Sequence, residues 1–284
     1  VQTEQLSFGP STTANTYVLA QAFGEKLGAG DAIIVTNQDH EANTGPWRRL
    51  DARGVEIREW QVDPDTGHLD PDALWALVDD KVKLVCFPQC SNVVGEVNPV
   101  AELCAELRAN GIWSCVDGVS YAPHGFPDLG ALGADIYLFS AYKTYGPHQG
   151  LMVLSPDLAA WLPNQAHYFN ADVPYKRFTP AGPDHAQIAA CAGLADYIDA
   201  LHVHHFGIGD TAPSMRMAAV HDLMRNHETQ LLQPLLDYLR ARNDVRLLGP
   251  TQAKDRAPTV AIAHARPGEV LARALAAHGI MARG

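Results

Sequence analysis

Asp117 ends the apolar run Ile112-Trp113-Ser114-Cys115-Val116, and Lys143 lies three residues beyond a second run, Ile136-Tyr137-Leu138-Phe139-Ser140. Short apolar runs closed by turn residues read as strands buried on both faces, as in a parallel sheet. Both ionisable groups should therefore emerge at the carboxyl edge of that sheet, where open α/β folds bind ligands, and both are costly to bury. In the simplest arrangement Asp117 and Lys143 pair with each other. A different chemistry uses them separately, with the lysine amine forming a Schiff base with an aldehyde and the carboxylate holding a pyridinium nitrogen. Ser140 before the lysine and Gly146 after it suit a phosphate site beside that amine. One Lys and one Asp in these roles are the requirement of pyridoxal 5'-phosphate (PLP), whose protonated ring withdraws electrons from a substrate carbanion.

Other elements must bring further groups to the same edge. Tyr17, Leu19, Ala20, Phe23 and Leu27 follow a helical period that Gly28 and Gly30 stop, so Thr12 and Thr13 sit at a helix start. Free N–H groups and the positive dipole end make that a ready phosphate site, although Ser and Thr also serve there as ordinary caps. Ala32 to Thr36 reads as a buried strand with His40 just past its carboxyl end. Position 44 is Thr, so His40-Glu41 lacks the second ligand of HExxH and no metal is expected. An imidazole there can stack on a flat ring and move protons, or face solvent in a loop. The strand Leu84 to Phe87 leads to Asn92, whose amide can donate to a ligand oxygen or form a turn with Gly95.

Strands over 55–60 and 152–154 and helices over 70–78 and 99–110 complete an alternation that implies an α/β fold with a mostly parallel sheet. The Pro-rich loop 174–183 reads as a wall of the active site. Beyond it, the pattern predicts a helix over 186–201 and a long helix from Pro213 that is secure until Pro234. Two short strands, 245–248 and 259–262, and a helix over 267–278 follow. The expected division is a large PLP-binding domain over 1–212, then a connecting helix and an incomplete small C-terminal domain over 213–284.

Asp-Gly-Val-Ser-Tyr-Ala-Pro-His (117–124) and Ser-Ala-Tyr-Lys-Thr-Tyr-Gly-Pro-His (140–148) resemble, in order and separation, the cofactor motifs of class V aminotransferases, in the cysteine desulfurase-like branch. The resemblance implies a PLP-dependent transferase of fold type I, a homodimer with an amino-acid substrate. It implies Lys143 as the Schiff-base lysine, Asp117 at the ring nitrogen and His40 stacked on the ring. Asn92 would lie near the phenolic oxygen, with Thr12, Thr13, Ser140 and Tyr142 around the phosphate. Three positions depart from the family pattern. Ser120 stands where Gln or His usually meets the phenolic oxygen, Tyr142 replaces the His before the lysine, and Gly182 replaces a Thr given by a partner subunit. The implied reaction is C–S bond cleavage of cysteine or a related thio-compound, with transamination or epimerisation as rivals and PLP binding without turnover as a further alternative. The family has additional chain at both ends, so part of the site, including a nucleophilic Cys loop, is expected outside these residues.

With 284 residues, 47% of them hydrophobic, the chain can bury a large core. A formal charge of -11 and a pI near 5.5 argue against nucleic acid or an anionic membrane as partner. No apolar run approaches a membrane span and the first residues lack a signal core, which makes the cytoplasm the expected compartment. The five cysteines, Cys86, Cys90, Cys104, Cys115 and Cys191, lack paired CxxC spacing and read mostly as core residues. Ser140 and Lys143 have SxxK spacing, but the companion Ser-Asp-Asn and Lys-Thr-Gly elements are missing. His202, His204 and His205 read as solvated loop residues rather than a metal tract.

Overall fold

The computed structural model describes residues 1–284. Its centre is a seven-stranded sheet built from β1 (Leu6–Gly9), β2 (Ala32–Thr36), β3 (Glu56–Trp60), β4 (Val82–Pro88), β5 (Trp113–Asp117), β6 (Ile136–Ser140) and β7 (Gly150–Leu154). The strand order is β1-β7-β6-β5-β4-β2-β3. β2 to β6 run parallel to one another, whereas β7 is antiparallel to both β6 and β1. The helices are α1 (Thr12–Gly24), α2 (Gly45–Arg48), α3 (Pro71–Trp75), α4 (Val100–Ala109), α5 (Leu129–Leu132) and α6 (Pro156–Trp161). They continue with α7 (His185–Ala190), α8 (Ala192–Phe206), α9 (Pro213–Arg240) and α10 (Gly268–Ala276). A second sheet pairs β8 (Val245–Leu248) with β9 (Ala261–His264) antiparallel.

The apolar runs are continuous because alternate side chains feed two different cores. Ile33, Cys86, Cys115, Ile136, Leu138 and Met152 pack with Leu19 and Phe23 of α1 on one face. On the other, Ile34, Val85, Phe87, Val116 and Tyr137 pack with Leu103 and Leu107 of α4. The one phenol this buries is satisfied, as Tyr137 Oη donates to Gln89 Oε1 at 2.6 Å.

Several expectations shift. β1 and α6 were not anticipated, and α3 ends at Trp75 rather than near 78. α9 continues through Pro234, its next turn held by the buried side chains of Leu232 and Leu236 against Ala253. The three clustered histidines lie on α8 rather than in a loop, and His202 is buried. No helix is long and apolar enough to cross a membrane.

Candidate active site

One cavity at the carboxyl edge of β2, β4, β5 and β6 is lined by all nine residues expected to contact the cofactor, Thr12, Thr13, His40, Asn92, Asp117, Ser120, Ser140, Tyr142 and Lys143. Ser11, Asp39 and Cys90 line it as well.

Asp117 is the last residue of β5 and only 4% exposed. Its Oδ1 accepts the Val119 N–H at 2.7 Å, and its backbone is pinned where its carbonyl accepts the Gln89 N–H at 2.8 Å. It forms no salt bridge with Lys143, so the simple pairing of the two is not what the fold builds. Burial raises the Asp117 carboxyl above its ordinary value, with the Val119 N–H, Lys143 and His40 pulling the other way. Asp39, which sequence reasoning passed over, faces the same cavity. Its carboxyl accepts the His40 N–H at 2.7 Å and the Asn43 Nδ2 at 2.8 Å, yet burial and then the charge of Asp117 hold it well above the usual carboxylate range. Its place, one residue before His40 past a buried strand, was the available signal.

Lys143 lies in a 3-10 turn, Ala141–Thr144, that β6 feeds directly. Thr144 Oγ1 donates to the Ala141 carbonyl at 2.9 Å, and Tyr145 closes the turn with a left-handed backbone, φ 68°. The lysine is exposed, so of the two ionisable groups the fold buries only the acid. Beside it Tyr142 stacks on His148, centroids 4.8 Å apart and planes 5° from parallel.

The third group sits at the start of α1. Ser11 caps that helix, its Oγ accepting the Ala14 N–H at 3.1 Å, while Thr12 Oγ1 and Ser140 Oγ lie 2.8 Å apart and both residues are buried. Gly150 lets β7 pass under this turn, since a Cβ there would come within 2.6 Å of the Thr12 nitrogen. Two hydroxyls beside the N–H groups of a 13-residue helix suit a dianionic phosphate.

His40 Nδ1 accepts the Ala42 N–H at 3.0 Å, which in the neutral ring leaves the proton on Nε2. Asn92 and Ser120 line the cavity from the loops after β4 and β5. Cys90 is buried, its thiol donating toward the Ser91 and Gly95 carbonyls at 3.6 Å, and burial pushes it up to about 12. The 174–183 loop is not in the lining of this cavity. Its residues 178–183 instead border a neighbouring cleft of about 620 Å³ with Phe8, Pro10 and Asn15.

These residues fit PLP on their own geometry. A buried carboxyl without a cationic partner awaits a pyridinium N–H, an accessible amine awaits an aldehyde, and a hydroxyl pair at a helix start awaits a phosphate. Residues 2–163 match the family described as aminotransferase class-V. The chain belongs to that family. Members of the family depend on PLP. An aminotransferase-like protein, FGM3, of Gibberella zeae is 34% identical over 265 residues, covering 90% of this chain and 61% of the relative. A cysteine desulfurase of Yersinia pestis is 36% identical over 214 residues, covering 70% of this chain and 52% of the relative. The chain thus spans little more than half the length of these curated relatives. Its fold is similar to that of the cysteine desulfurase from Thermococcus onnurineus, with a TM-score of 0.78 and 21% identity, covering 100% of this chain and 69% of that one. The cysteine desulfurase CsdA of Escherichia coli gives 0.76 and 22%, covering 99% and 68%. These likenesses bear out the fold-type-I expectation, a mostly parallel seven-stranded sheet with helices.

Proposed function

We propose that this chain is the PLP-binding part of an enzyme that acts on a small amino acid, by C–S bond cleavage of cysteine or a related thio-compound. The observation that carries this reading is the meeting, in one cavity, of the unpaired Asp117 carboxyl, the Lys143 amine and the Thr12–Ser140 hydroxyl pair. When bound, PLP supplies the electron sink for charge that develops at the substrate Cα. Asp117 holds the ring nitrogen in its protonated form, and Thr12, Thr13, Ser140 and Tyr142 hold the phosphate. His40 packs on the ring face, while Asn92 and Ser120 approach the phenolic oxygen. Lys143 anchors the cofactor, then takes the Cα proton and passes a proton to the leaving sulfide, a task that suits an accessible amine on a short turn.

The state of the cysteines argues against persulfide formation on these residues. Burial raises all five thiols, so none offers the exposed thiolate that attack on a substrate sulfur requires. Elimination from cysteine with water gives pyruvate, ammonia and sulfide. Transamination or epimerisation remains the principal rival, with PLP binding without turnover after it.

The assembly proposed is a homodimer, supported by the exposed aromatics Tyr168 and Phe169 beside the 174–183 loop. To test the function, PLP-loaded protein is mixed with a panel of amino acids while sulfide, keto acid and the visible spectrum are followed. Sulfide and pyruvate from cysteine support lyase chemistry, and keto acid without sulfide supports transamination. No spectral change with any amino acid would overturn the enzyme reading.

A further inference from the structure

Arg256 is the least expected buried group in the molecule. It is 0% exposed and has no carboxylate partner. A buried cation is tolerated only where other groups replace its hydration, and here backbone carbonyls do so. Nε donates to the Thr259 carbonyl at 3.2 Å, Nη1 to Leu248 at 3.2 Å and Pro250 at 2.7 Å, and Nη2 to Thr259 at 2.5 Å and Val94 at 2.8 Å. One planar fork therefore ties the end of β8 and the stretch leading into β9 to a loop 162 residues earlier in the chain.

That loop carries Cys90 and Asn92 to the cavity. It is a short hairpin, with bridges Cys90 to Val97 and Glu96 to Arg256, and the Ala257 N–H donates to the Gly95 carbonyl at 2.8 Å. Gly95 has φ 72°, and a Cβ there would come within 2.8 Å of the Ala257 and Thr259 carbonyls, so the contact leaves no room for a side chain. The Ser120 loop is tied to the same place. His124 Nδ1 lies 2.7 Å from Glu228 Oε1, Glu228 Oε2 accepts from Arg225 at 3.1 Å, and Arg225 Nη2 donates to the Arg256 carbonyl at 3.1 Å.

We infer that Arg256 is a positioning residue that acts through the 90–97 loop to set Asn92 at the cavity edge, so that the 245–264 segment takes part in shaping the active site. The role of Asn92 toward the cofactor rests on the proposed function, whereas the hold on the loop does not. Lysine at 256 would keep the charge but reach fewer carbonyls, and methionine would keep only the stem.

The test has two arms on the intact chain, with Arg256→Met and Arg256→Lys. In cofactor-free protein, amide exchange over 90–97 should rise about tenfold or more in Arg256→Met and less in Arg256→Lys, as expected where hydrogen bonds to a charged group are lost. The strands 113–117 and 136–140 should keep their protection. In PLP-loaded protein, Arg256→Met should shift the pH titration of the visible band in the same direction as Asn92→Ala, and the double variant should shift no further than Asn92→Ala alone. Unchanged exchange over 90–97, or uniform loss of protection in both variants, would overturn the inference. Additive spectral shifts would overturn the route through Asn92. Failure of the wild type to bind PLP would refute the proposed function instead, and the exchange arm would still judge the hold on the loop.

Discussion

The two sides of the cavity are built on opposite principles. On the Asp117 side, a strand flanked by β4 and β6 delivers a carboxyl that is almost wholly buried and held by the Val119 N–H. On the Lys143 side, an exposed 3-10 turn with a left-handed residue at its end carries an amine that no salt bridge restrains. A group that stabilises charge works best when fixed and dry, because preorganisation and low dielectric both strengthen its field. A group that must join, leave and move a proton needs reach. The contrast also explains why the acid and the amine do not pair: the sheet holds one while the turn presents the other across the cavity.

Removing the fixed charge gives the largest change in rate. Asp117→Asn should lower turnover roughly a hundredfold or more while PLP still binds, as read by single-turnover kinetics beside a PLP titration. Near wild-type turnover would mean that the ring nitrogen has another partner. The hydroxyl pair at the α1 start should matter less, since helix N–H groups remain. Thr12→Val with Ser140→Ala is expected to weaken PLP binding about tenfold or more, checked by equilibrium dialysis.

The dry side should also announce itself without cofactor. Asp39 and Asp117 are both raised by burial, so their contribution to stability is fully present below the ordinary carboxylate range and is lost as pH rises through the raised values. The melting temperature of cofactor-free protein should therefore fall as pH rises above the ordinary carboxylate range, and Asp39→Asn should flatten that fall. An unchanged slope in Asp39→Asn would remove the carboxylate pair from the account. The smallest effect belongs to Cys90. Its thiol is held near 12, so mass spectrometry after incubation with cysteine should find no persulfide on it, and Cys90→Ser should keep its sulfide output.

What the sequence reveals follows the same division. β2 and β6 match their expected bounds because five-residue apolar runs between turn signals have few other solutions. The expected residues that line the cavity were legible because each lies within a few positions of a strand end or helix start. β1 was not, since Leu6-Ser-Phe-Gly has no distinctive run and becomes a strand only by pairing with β7. Pro234 misleads for a related reason: Leu232 and Leu236, buried on either side of it, hold the helix together where local propensity would end it. Asp39 and Arg256 take their significance from groups that only the fold brings near, Asp117 for one and Val94 for the other.

The most direct measurement of the central claim is borohydride reduction of PLP-loaded protein followed by peptide mapping. One stable pyridoxyl group is expected, on Lys143, and none in Lys143→Ala, whose visible band should also be missing while its fold is retained. A pyridoxyl group on Lys176 or another lysine, or an unchanged visible band in Lys143→Ala, would contradict it.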